Sequence, residues 1–284
     1  MDRRRFLVAS ALATWSLALR AEEAGHSLRR VRWGLTIENP TAVELAETKV
    51  WLYAPVAACS TQSLRSLNVS AAFTRHGDVL GNTIIELDYP SLSPFASKVV
   101  AFDASLDLRS DPLAEPVSHR DYWLRGEAYL EVDAPPIRAL ASRLLRTTAD
   151  ATARAIYEWV ASNIAYAGYI ADDMGALYAL QERRGDCTEY AYLVTALARA
   201  VGIPARALGG YVTPQDAVLR PSEYHNWAEL YFDGAWQRVD AQKSVYREGG
   251  ERYVAFEIIS SQVRNALNGA HRYSIEGQAV VRAG

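Results

Sequence analysis

The sequence predicts an α+β chain in two parts. An antiparallel β-sandwich over residues 28–132 is followed by a mixed helical and hairpin domain over 133–284. Three observations lead there. Before residue 110 the apolar side chains alternate or are β-branched, and turn residues cut them into short runs. Beyond Asp133-Ala134-Pro135-Pro136 the apolar spacing becomes helical. Asp233-Gly234 then lies between two alternating runs, a strong short-range hairpin signal.

In the first part, strands are expected over 31–37, 49–53, 67–73, 82–87 and 98–108. Turns are expected at Asn39-Pro40, His76-Gly77-Asp78, Tyr89-Pro90 and Ser110-Asp111-Pro112. Several short strands so punctuated suit a sandwich. It reads equally as a structural module or as a domain that binds substrate or envelope. In the second part, 137–145 and 148–164 read as helices, the latter capped near Thr148 or Asp150. Ile156, Trp159, Val160 and Ile164 share one face and suit the core. The tail after Tyr246 carries no specific signal.

The chemistry centres on Cys187. Asp186 can cap a helix, Glu189 can close a capping box, and Leu193, Val194, Leu197 and Ala198 recur at helical spacing before Gly202 and Pro204 stop the run. Cys187 therefore falls in the first turn, where the positive helix end favours thiolate. A lone cysteine there is as readily a buried small hydrophobe, so its partners decide. Trp227 to Phe232 alternates as a strand, and Ala235 to Asp240 reads as the return strand. With a two-residue turn, Phe232 pairs with Ala235, Glu229 with Arg238, Trp227 with Asp240, and His225 with Gln242. The opposite charges of Glu229 and Arg238 favour this register. His225 and Asp240 then share a face as diagonal neighbours, roughly 7–8 Å apart at Cα. A slip of one residue would part them. Alone, His225 suits a satisfied surface or core histidine and Asp240 a strand-end cap. Together with Cys187 they supply nucleophile, base and orienter.

These residues resemble the transglutaminase-like superfamily, papain-related thiol enzymes with a Cys-His-Asp triad. The matching pieces, in family order, are Ala155 to Val160 with Ile164 and Tyr166, Gly185 to Tyr190, Gly202 to Arg206 with Gly210-Tyr211, His225 to Glu229, and Trp236 to Asp240. The resemblance covers roughly 150–245. It implies a transglutaminase-like α+β domain after the sandwich, with Cys187 as nucleophile, His225 as base and acid, and Asp240 as orienter. Arylamine acetyltransferases share the triad, but of their Arg-Gly-Gly only Arg184-Gly185 is present. The implied activity is acyl transfer from amide bonds of peptides or proteins through a thioester, with water the favoured acceptor. Cross-linking to a lysine amine, or a non-catalytic binding module on the same fold, are the alternatives.

Residues 1–21 read as a twin-arginine export signal. Arg3-Arg4-Arg5-Phe6-Leu7 opens it, with Asp2 where Ser or Thr is common. Phe6 to Leu19 is a 14-residue apolar stretch, short for a membrane span. A periplasmic or secreted location follows. Ala18 and Ala21 make a poor cleavage site, which leaves an uncleaved membrane anchor open. The formal charge is −3, and residues 1–21 hold four of the 30 basic but one of the 33 acidic side chains. No basic stripe points to nucleic acid. The two cysteines are expected to be free, because joining Cys59 to Cys187 would consume the nucleophile. No cofactor or metal is expected, since no ligand-spaced cysteine or histidine pair occurs. The expected partner is a peptide or protein substrate.

Overall fold

The computed structural model describes residues 25–284. The export-type segment falls outside them. The chain is α+β, as its patterning indicates. Seven strands come first: β1 (His26–Glu38), β2 (Leu45–Ala54), β3 (Ala58–Cys59), β4 (Gln62–Val69), β5 (Thr74–Gly77), β6 (Thr83–Leu92) and β7 (Ser97–Arg109). Helices α1 (Pro135–Leu144) and α2 (Ala149–Asn163) follow. Then come β8 (Ala165–Tyr166), α3 (Ala176–Glu182), β9 (Arg184–Gly185) and α4 (Cys187–Ala200). Strands β10 (Ala205–Val212), β11 (Ala217–Val218), β12 (Tyr224–Phe232), β13 (Ala235–Asp240), β14 (Val245–Tyr246) and β15 (Tyr253–Ile259) lead to β16 (Tyr273–Glu276) and β17 (Val280–Ala283).

Two sheets form the sandwich, β11-β1-β7-β4-β3 with β17 also on β1, and β16-β2-β6-β5. Their inner faces share one core, in which Ile37, Val100 and Phe102 of the first sheet meet Val50, Leu52, Ile85 and Leu87 of the second. The tail, silent in the sequence, supplies β16 and β17, which pair antiparallel with β2 and β1. Residues 273–283 thus pair with the sandwich, although the expected boundary puts them in the second domain. Their mixed, half-buried residues show no strong alternation, and a partner strand more than 200 positions away leaves no local trace.

Three local readings shift. The strand expected at 67–73 runs from Gln62 to Val69, because a buried glutamine can open a strand when its amide is used elsewhere. His76-Gly77, expected in a turn, ends β5. The turn falls at 78–82, where Asp78 Oδ1 accepts from the N–H groups of Leu80 (2.9 Å) and Asn82 (3.1 Å). Tyr89-Pro90 lies inside β6. Pro90 is skipped in the ladder with β2, where pairing passes from Thr48–Tyr89 to Ala46–Ser91 around Glu47 at φ 50°. β5 pairs only with 83–86, so the missing N–H of Pro90 leaves no partner unmet.

The second part wraps α4 in the sheet β14-β13-β12-β10-β15. Every α4 residue from Glu189 to Arg199 is buried. Thr148 caps α2, accepting from Ala151 N–H at 3.1 Å. Strand β15 is a sheet edge, and edges expose unpaired backbone groups. Two sandwich amides close it. Asn82 accepts from Ile258 N–H (2.7 Å) and donates to Ile258 C=O (3.0 Å). Gln62 does the same at Ala255, at 2.9 and 3.0 Å. An apolar seam of Val31, Leu106, Val254 and Phe256 backs them.

Asn82→Ala should therefore destabilise the whole chain, because it strands a buried donor and acceptor on Ile258, at about 1–3 kcal/mol per group. Urea unfolding should show a single lower midpoint. An unchanged midpoint would mean the amide clamp contributes nothing.

Candidate functional site

The site begins at the start of α4. The capping box anticipated there is formed: Asp186 Oδ1 accepts from Thr188 N–H at 2.8 Å, and Glu189 Oε2 accepts from Asp186 N–H at 3.0 Å. Gly185 is required by close approach, since a Cβ there would collide with the Glu189 side chain. Both carboxylates reach further. Asp186 Oδ2 takes the N–H of Ile170 (3.0 Å) and Glu189 Oε1 that of Met174 (3.0 Å). The connection between β8 and α3 is thereby tied to the helix that carries Cys187.

The hairpin has the register read from the sequence. Phe232 pairs with Ala235, and Glu229 with Arg238. Pairing stops at Ala228–Val239, but the shared face continues. His225 Nε2 lies 2.7 Å from Asp240 Oδ2, with both residues buried. The charge of Glu229 acts on Arg238, its cross-strand partner, as the register argument expects. The hydrogen bonds of Glu229 go to Arg206 on the other neighbouring strand, at 2.9 and 2.7 Å. Arg238 lies over the Tyr253 ring, 4.4 Å from its centroid.

Cys187 opens α4, which packs against β12 and β13. The backbone N–H groups of Asn226, next to His225, and of Cys187 itself act on the thiol in the direction that favours its thiolate. Burial, then the charges of Asp186 and Asp240, outweigh those donors and push the thiol up to about 11. The sequence expectation of a resting thiolate therefore does not hold, because burial of the thiol, with the charges of Asp186 and Asp240, outweighs the attraction of the helix end. Cys59 is also free and also pushed up to about 11, by burial first and Glu229 second.

Asp240 is more fully partnered than the sequence indicated. Oδ1 accepts from Lys243 N–H (3.0 Å), and Oδ2 accepts from the Tyr253 hydroxyl (2.8 Å) as well as facing His225. Burial and the Asp240 charge push the Tyr253 phenol far up, so it remains a donor. No motif marks Tyr253; only the sheet order brings it here. On the other side, β8 pairs in parallel with β9, setting Tyr166 opposite Gly185, two residues before Cys187. Tyr166, Tyr169 and Met174 form an exposed apolar rim, 57%, 79% and 42% accessible. Asp173 anchors the rim through Tyr192 Oη (2.7 Å) and His271 Nε2 (3.1 Å).

Residues 138–241 match the profile of the transglutaminase-like superfamily. Over 183 residues the chain is 27% identical to an uncharacterized protein of Mycobacterium leprae (strain TN), a stretch covering 62% of this chain and 61% of that one. The chain thus spans about three-fifths of that relative's length. A crystal structure from Cytophaga hutchinsonii, provisionally named a cysteine protease, superposes with a TM-score of 0.61 at 19% identity, covering 91% of each chain. At that identity the likeness is one of fold. The periplasmic domain of TgpA from Pseudomonas aeruginosa gives a TM-score of 0.43 at 17% identity, over 77% of this chain and 91% of that one, a likeness too remote to bear on this chain.

Glu189 gives the site a testable pH dependence. Burial pushes its carboxyl up to about 7, against the two N–H groups that favour its charge. A folded value above the unfolded one means that its stabilising contribution is complete below the ordinary carboxylate value and is lost as pH rises through about 7. The urea midpoint of the wild type should therefore exceed that of Glu189→Gln most at pH 4.5, and the gap should narrow by pH 8. A gap that widens with pH would contradict this.

Proposed function

With residues 138–241 belonging to the transglutaminase-like superfamily, we propose that the protein is a thiol acyl-transfer enzyme that hydrolyses amide bonds of peptides or proteins. The observation that carries this reading is the buried His225–Asp240 contact of 2.7 Å, with Cys187 at the start of α4 close enough for Asp240 and the N–H of Asn226 to act on its thiol. Cys187 is the nucleophile, His225 the base and acid, and Asp240 the orienter.

The chemistry follows from the charges. At neutral pH the Cys187 thiol is protonated, so it must lose its proton as it attacks. Asp240 occupies Nε2 of His225 and thereby leaves Nδ1 as the nitrogen free to accept that proton. Sulfur then bonds the amide carbonyl carbon. The C–N bond breaks, and the imidazolium returns the proton to the departing amine. Water, deprotonated by His225, cleaves the thioester to a carboxylic acid and restores the thiol. Proton transfer of this kind contributes typically about 10²–10⁴-fold in rate. The apolar rim of Tyr166, Tyr169 and Met174 supports a peptide bearing a large apolar side chain as substrate. The paired arginines and apolar stretch of residues 3–19 support export and an envelope or secreted location.

Turnover of a peptide mixture, read by mass spectrometry with and without methylamine, tests this. Free acids should form in both cases, chelator should change nothing, and Cys187→Ala should abolish product while remaining folded. Asp240→Asn should lower the rate about 10²–10⁴-fold. Methylamides as the main product would replace hydrolysis by amine transfer. Peptides that bind equally to wild type and Cys187→Ala, with no product from either, would make the protein a binding module.

A further inference from the structure

The Asp240 carboxylate has a second side-chain partner, outside the segment that matches the superfamily. Tyr253 opens β15, and its hydroxyl donates to the same Oδ2 that faces His225, at 2.8 Å against 2.7 Å. Oδ1 is taken by Lys243 N–H. The Tyr253 ring has little freedom. Trp227 packs edge-on against it, with centroids 5.1 Å apart at 71°, and the Arg238 guanidinium covers its face at 4.4 Å. Trp227 itself lies nearly parallel to the His225 ring, at 6.5 Å. Arg238 comes no nearer to the chemistry, since its Nη1 donates to Glu248 C=O.

We propose that Tyr253 is a positioning residue for the His225–Asp240 pair, sharing Oδ2 with the imidazole and so setting how strongly the carboxylate holds the imidazolium. The proposal rests on the acyl-transfer reading for its purpose, but its geometry does not. A buried carboxylate with no cation on it must spread its charge over hydrogen-bond donors. Lys243 N–H, Tyr253 O–H and His225 N–H are those donors. Each one that is removed concentrates the attraction on the rest. A hydroxyl on Oδ2 keeps the imidazolium from becoming too stable to return its proton to the leaving group. It also restrains the carboxylate from turning, which holds the ring with Nδ1 free. The charged and titratable groups around the pair are Tyr157 from α2, Cys187 from α4 and Tyr253 from β15, with Arg238 of β13 lying over the Tyr253 ring. Arg252, just before β15, also acts on the phenol. The cation on the tyrosine face polarises the phenol as a donor.

Tyr253→Phe removes one oxygen and keeps both ring contacts. The full chain, labelled with ¹⁵N-histidine, allows the His225 ring to be followed by NMR after assignment with His225→Gln. Acylation of Cys187 by p-nitrophenyl acetate is read in parallel by nitrophenolate release and by mass. In Tyr253→Phe the His225 titration midpoint should rise by about 0.5–1 pH unit, the worth of one hydrogen bond. Acylation below that midpoint should fall about 3–10-fold. In an Asp240→Asn background, adding Tyr253→Phe should change neither. Superimposable titrations for wild type and Tyr253→Phe would overturn the proposal. So would an equal shift in the Asp240→Asn background, which would mark a packing effect. A wild type that p-nitrophenyl acetate never acylates, but whose ring titration still responds to Tyr253→Phe, would support the placement of Tyr253 and sink the acyl-transfer reading.

Discussion

A helix that starts inside a protein has N–H groups with no partner in its own first turn. In this chain the helix is α4, buried along nearly its whole length, and the rest of the structure is arranged around satisfying its start. Asp186 and Glu189 do so in a capping box. Each has a second oxygen to place, and these take the N–H groups of Ile170 and Met174. One requirement of backbone chemistry thereby fixes three things together: the position of Cys187, the course of the β8–α3 connection, and the apolar rim that this connection presents. Gly185 belongs to the same constraint, because a side chain there would displace Glu189.

The second constraint is the edge of the site sheet. β15 would offer unpaired backbone to solvent if it stood alone. Gln62 and Asn82 of the sandwich bind its free edge in pairs of hydrogen bonds. β15 in turn brings Tyr253 to Asp240. The chain's own ends reinforce the arrangement. The last strands return to β1 and β2, and β11 of the second part pairs with β1. The sandwich is therefore continuous with the site's support, and a loss of edge pairing would be felt at the His225–Asp240 pair.

The parts of this that the sequence made legible are those set by local chemistry. Asp186 and Glu189 flanking Cys187 announced the helix start. Asp233-Gly234 with alternating neighbours announced the hairpin and its register, from which the His225–Asp240 contact follows. The register was right, and Glu229 acts on Arg238 across it while hydrogen-bonding Arg206 on its other side. What stayed hidden depends on strands far apart in the chain. Tyr253, β16 and β17 reach their partners only through sheet order, and Gln62 and Asn82 look like ordinary polar residues until β15 lies beside them. The electrostatics were hidden for a related reason. A helix start argues for a thiolate, but the opposing burial and the charge of Asp240 appear only once the sheet is folded.

A thiol pushed up to about 11 cannot act alone near neutral pH. With Cys59 pushed up equally, the two cysteines differ in their neighbours and not in their resting charge. The central claim is that His225 makes Cys187 a nucleophile. The most direct test is iodoacetamide labelling of both cysteines at pH 7, mapped by peptide mass, in the wild type and in His225→Ala. Cys187 should label much faster than Cys59 in the wild type and fall to a comparable rate in His225→Ala. Labelling of Cys187 that is no faster than that of Cys59, or that is unchanged without the imidazole, would contradict the account.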